Sequence, residues 1–125
     1  MGLIAGAAAE RVVLVEWSDT AERVGSGDLP VLGTPRLLAF VEGTCVECIA
    51  GQLSDEQTSV GTRVLLDHRA PSPTGALVTI RVRLDAVNGR HLVFTFEASH
   101  ADGTVVATGE HHRAVVNREA FLSAL

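Results

Sequence analysis

Thr34, Glu42 and His68 offer a hydroxyl, a carboxylate and an imidazole within thirty-five residues, and Cys45 and Cys48 form a C-x-x-C between them. Wound at about 3.6 residues per turn, "TPRLLAFVEGTCVEC" (34–48) and the residue that follows it put Leu38, Val41, Cys45 and Ile49 on one stripe. Glu42 falls within that apolar stripe, whereas Glu47 lies on the far side with Arg36 and Gly43. Burying an unpaired carboxylate costs on the order of several kcal/mol, so such a group needs a partner or a chemical task. The other reading is a narrower stripe, with Glu42 at a solvated or dimer-facing edge.

Each neighbour also has two readings. The Thr34 hydroxyl caps a helix, or it stands beside free backbone N–H groups able to hold a developing oxyanion. His68, near the end of "VLLDHRAPSPTG", is an acid, base or donor facing the helix, or a surface histidine at a strand end. The cysteine pair is read as apolar filling. A redox pair needs a helix N-terminus to lower its thiol pKa, and this one lies about three turns inside the helix. No second pair completes a zinc site, and His91, His100, His111 and His112 form no ligand set, the last two pointing to opposite faces of a strand.

Those residues need elements to position them. Thr34 and Pro35 form a helix-start signal, and the helix is expected to run to about Ala50 and stop at Gly51. Ahead of it, "RVVLVEW" (11–17) reads as a strand and 18–33 as a loop with a helical turn. Behind it, 58–70 has strand propensity and "PSPTG" breaks it. Alternation over 76–87 is the clearest strand, "NG" at 88–89 a hairpin signal, and 90–100 and 104–117 the last two strands. "REAFLSAL" adds a helical turn. A strand, a helix and an antiparallel meander make an α+β chain, and such long strands suit a hot-dog fold, about five curved antiparallel strands around one central helix.

Composition excludes several classes. The 125 residues are 46% hydrophobic and 20% charged, which argues for one folded domain spanning 1–125. A net charge of −5 with scattered basic residues leaves no footprint for nucleic acid. Two cysteines exclude a disulfide-stapled secreted scaffold. "MGLIAGAAAE" is too short to span a bilayer, has no basic residue ahead of its apolar run, and carries Gly6 where myristoylation needs Ser or Thr. The start is expected to be frayed or weakly helical, and the protein cytoplasmic.

From "VLGTPRLLAFVEGTCVECIA" to "EHHRAVVNREAF", the chain resembles the fluoroacetyl-CoA thioesterase family of hot-dog proteins. Thr34, Glu42 and His68 match that family's catalytic Thr, Glu and His in spacing, and Gly61 in "VGTRVLLDHRAPSPTG" matches a glycine beside the substrate. The resemblance implies an acyl-CoA substrate, a homodimer or tetramer with sites near the subunit interface, and no metal or organic cofactor. Glu42 would be nucleophile or base for a water. Thr34 would orient Glu42 or the thioester, and His68 would stabilise the carbonyl oxygen or transfer a proton. Arg69 and Arg113 are candidates for CoA by charge alone. "VGSGDLPVLG" lacks the phenylalanines that form the founding member's lid, which implies a different, small acyl group. The alternatives are a non-catalytic acyl-CoA-binding or sensing module, then a hot-dog hydratase or dehydratase, then redox or metal chemistry at Cys45 and Cys48.

Overall fold

The computed structural model describes residues 2–125. Strand β1 spans Ala8–Leu14, and the short helix α1 spans Ala21–Val24. The long helix α2 runs Thr34–Ile49 and closes with a 3-10 turn at Ala50–Gln52. Strands β2 (Gln57–His68), β3 (Leu77–Asn88), β4 (His91–His100) and β5 (Val105–Asn117) follow, and helix α3 (Arg118–Ser123) ends the chain. All five strands form one antiparallel sheet in the order β1-β3-β4-β5-β2, with β1 and β2 at its edges.

Alternation dictates this sheet. Val78, Ile80, Val82 and Leu84 of β3 and Leu92, Phe94, Phe96 and Ala98 of β4 are buried, with polar residues at most positions between them. These side chains and the buried face of α2 make the core. The β3–β4 turn needs a left-handed residue, which Gly89 supplies at φ 62°.

Three expectations change. The first strand begins at Ala8 rather than Arg11, and Trp17 lies in a 3-10 turn instead of at the strand's end. Ala8 and Ala9 pair with β3, and Ala7 and Ala9 pack on the core, so part of the expected frayed or helical start is strand. Small apolar residues carry little periodic signal, and pairing with β3 overrides their helix propensity. The buried stripe of α2 is also turned slightly: Leu37, Val41, Thr44, Cys45 and Ile49 are buried, and Leu38 is half-buried. Thr44 is admitted because its hydroxyl bonds back to the Phe40 carbonyl at 2.8 Å. Finally, Gly33 is the N-cap, and Thr34 is the first helical residue.

Candidate active site

Thr34 caps nothing, which leaves its hydroxyl free for another partner. Oγ1 lies 2.7 Å from His68 Nδ1. The start of α2 is fixed by Asp19, a buried residue whose carbonyl accepts the Gly33 N–H at 2.9 Å. The Asp19 carboxylate accepts from Arg36 Nε at 2.7 Å and from the Glu16 N–H at 2.9 Å. His68 ends β2 on the side facing the helix. The chain just after it is held by Arg69 and Ala70 N–H groups donating to the Val106 carbonyl and by Leu32 N–H donating to the Ser72 carbonyl. Burial lowers the His68 pKa, partly offset by the Ala70 backbone, so the ring is neutral at pH 7. Its Nε2 is buried without a partner among the described residues, so Nδ1 is the nitrogen that faces the site. A cleft of about 280 Å3 adjoins the pair, lined by Ala21, Ser26, Val31 and Leu32.

Glu42 belongs to a second cluster. Its side chain is 37% exposed, between the two readings its periodicity allows, and it has partners. Arg113 Nη1 lies 3.3 Å from Glu42 Oε2, and His111 Nε2 lies 3.4 Å from the same oxygen. Arg113 is itself buried, so Glu42 supplies the countercharge that a buried guanidinium requires. Ser59 holds the other end of the guanidinium: Nε donates to Oγ at 2.8 Å and Nη2 to the carbonyl at 2.9 Å. Gly61 faces this cluster. A β-carbon there would lie 2.7 Å from Glu42 Oε2 and 3.2 Å from His111 Cε1.

The four expected residues thus form two groups, Thr34 with His68 and Glu42 with Gly61. Eight helical residues separate Thr34 from Glu42, a rise of about 12 Å. Seven strand residues separate Gly61 from His68, about 23 Å along β2. No hydrogen bond or ion pair joins the groups among the described residues. His111 and Arg113 are the residues that sequence reasoning leaves aside, since the first makes no metal ligand set and the second suggests CoA by charge alone. Period two in "GEHHRAVVN" is the available signal, because it puts both on the face turned to the helix. Cys45 sits in the core with its thiol pushed up to about 12 by burial, and burial raises Cys48 as well. Neither environment generates a thiolate at pH 7. A larger cleft, about 420 Å3, opens among Leu3, Gln52, Leu53 and Arg90, but no acid–base pair converges on it.

One long helix packed against a single five-stranded antiparallel sheet defines the hot-dog class. A hot-dog-like protein from Thermanaerovibrio acidaminovorans superposes with a TM-score of 0.87 at 28% identity, covering 96% of this chain and 88% of that one. The family model for fluoroacetyl-CoA-specific thioesterases matches residues 15–119, and the chain belongs to that family. A solved structure of the fluoroacetyl-CoA thioesterase is similar at 26% identity, with a TM-score of 0.91 and 99% and 96% of the two chains covered. The fluoroacetyl-CoA thioesterase of Streptantibioticus cattleyicolor is 33% identical over 91 residues, 73% of this chain. The match spans 65% of that relative's length. Among the described residues, no helix is long and apolar enough to cross a membrane.

Proposed function

We propose that the protein is an acyl-CoA thioesterase, one hot-dog domain over residues 1–125, acting in the cytoplasm as a homodimer with Thr34, Glu42 and His68 as its catalytic set. The observation that carries this reading is the 2.7 Å bond between Thr34 Oγ1 and His68 Nδ1, made by a hydroxyl released from helix capping. The two half-sites support the dimer. Strand β2 is a sheet edge with a free side, and Val64 and Leu65 near its middle are 39% and 44% exposed. Antiparallel pairing of two β2 edges centred on Leu65, with the bulge between Gly61 and Arg63 taking up one residue, sets His68 opposite Gly61 of the partner subunit. Thr34 and His68 of one protomer then meet Glu42 of the other across the interface.

In that site the thioester carbonyl sits at the exposed Thr34 hydroxyl. Among the described residues, the hydrogen bond and ion pairs of the Glu42 carboxylate run through Oε2, which leaves Oε1 to take a proton from the attacking water. Water adds to the carbonyl, charge collects on its oxygen beside the start of α2, and the C–S bond breaks. The departing thiolate receives the proton that Glu42 took from the water, while neutral His68, whose Nε2 is too buried to reach substrate directly, holds the Thr34 hydroxyl through Nδ1. The acyl group occupies the 280 Å3 cleft. With no aromatic residue between Gly25 and Gly33, the reading favours a short acyl group without selection for fluorine.

Thiol release from a panel of acyl-CoA esters, fluoroacetyl-CoA included, tests the activity. Turnover on one ester is expected, falling about a hundredfold or more in Glu42→Gln. Binding of CoA esters without turnover would replace the enzyme with a binding module. Mixing inactive Thr34→Ala and Glu42→Gln proteins tests the shared site. Heterodimers rebuild one site of two, so about a quarter of wild-type activity returns. No recovery after verified subunit exchange would place each site within one chain.

A further inference from the structure

We infer that His111 is a positioning residue: a neutral imidazole, protonated on Nδ1, that accepts a hydrogen bond from Arg113 and so holds Arg113 in the orientation that grips Glu42. Two contacts set the tautomer. His111 Nδ1 lies 3.1 Å from the Arg63 carbonyl, which can only accept, so the proton is on Nδ1. Nε2 lies 3.1 Å from Arg113 Nη1, which can only donate, so Nε2 carries the lone pair. The 3.4 Å approach of Nε2 to Glu42 Oε2 is therefore not an ion pair. Arg113 Nη1 stands against both acceptors, one N–H to the carboxylate and the other to the imidazole.

Local structure prepares this arrangement. The β2–β5 register slips between Gly61 and Arg63, a bulge beside which the Arg63 carbonyl is aimed at the ring. His111 is fully buried between Val64 of β2 and Phe94 of β4, its pairing neighbours. A second ring proton would set one N–H against another at 3.1 Å. Burial opposes the cation first; the Arg63 carbonyl and Glu42 favour it, and Arg113 and His112 oppose it. With Ser59 fixing one side of the guanidinium and His111 the other, Arg113 has one orientation, and Glu42 Oε2 is held by it. The role of His111 in turnover rests on the reading of Glu42 as catalytic. The tautomer does not.

The experiment pairs two amide variants with NMR. His111→Gln keeps an acceptor near the Nε2 position, while His111→Asn keeps only a donor near Nδ1. On the ester that wild type hydrolyses best, His111→Asn is expected to lose about tenfold or more in kcat with KM within about twofold, and His111→Gln to stay within about threefold of wild type. In 15N-labelled protein at neutral pH, the His111 ring should show a protonated Nδ1 and a bare Nε2. The Arg113 Nη protons should exchange slowly in wild type and His111→Gln and quickly in His111→Asn. A ring protonated on Nε2 would overturn the inference, as would equal losses in both variants, which mark packing alone. If no ester is hydrolysed, the thioesterase reading fails, yet ring shifts and Arg113 exchange still decide the tautomer and the grip.

Discussion

A β-carbon on Gly61 would come within 2.7 Å of Glu42 Oε2, and the nearest atom that could yield is the carboxylate itself. Gly61→Ala should therefore fold normally, pushing Glu42 away from Arg113 rather than disturbing the backbone. The expected result is a kcat lowered about tenfold or more with a melting temperature within a few degrees of wild type. Thiol-release kinetics and a thermal scan check it, and unchanged turnover would free the reaction from that carboxylate's placement. Residue types and the helical stripe single out Thr34, Glu42 and His68 as candidates in the sequence, and Gly61 enters through the family resemblance. They do not reveal the two groups, because spacing along a chain says nothing about which strand lies under which helix turn. Arg113 and His111 are hidden for a related reason: each is interpretable only beside the other and beside Glu42, forty-eight or more residues from its contacts on α2 and β2.

At the scale of elements, the start of α2 depends on a residue outside it. Asp19 holds the Gly33 N–H, Arg36 and the Glu16 N–H at once, and the Arg36 guanidinium lies 5.1 Å from the Phe40 ring centroid one turn on. Asp19→Ala leaves the carbonyl that holds Gly33 but strands the Arg36 guanidinium and the Glu16 N–H, and the helix start that presents Thr34 loses its side-chain anchor. A loss of about 1–3 kcal/mol is expected, read from the denaturant midpoint. An unchanged midpoint would mean that water replaces the carboxylate at no cost. Strands β3 and β4 are legible to within a residue because their alternation is sustained and both turns between strands carry glycine. Strand β1 is shifted by three residues, since alanines signal neither face. The Thr-Pro pair marks the helix correctly but suggests the wrong cap, because Gly33 meets the capping position through its backbone alone.

At the scale of the whole molecule, the sheet has two free edges, and they differ. Strand β2 carries His68 and Gly61 on one face and leaves Val64 39% exposed between them. A charge there opposes association where the proposed dimer closes. Val64→Asp is expected to sediment as a monomer, to keep the wild-type circular dichroism spectrum, and to lose turnover with assembly. A monomer that remains fully active would remove the need for a shared site. The hot-dog outline is legible from element order and strand length, while the proposed division of the site between copies is not, because one chain carries no record of a twofold partner.

That open edge has a kinetic consequence. In the proposed dimer, with the hydroxyl on one copy and the carboxylate on another, the working catalyst would exist only by mass action. Below the dimer's dissociation constant, the rate should rise with the square of total protein rather than in proportion to it, so the cell's own expression level would act as a threshold on the chemistry.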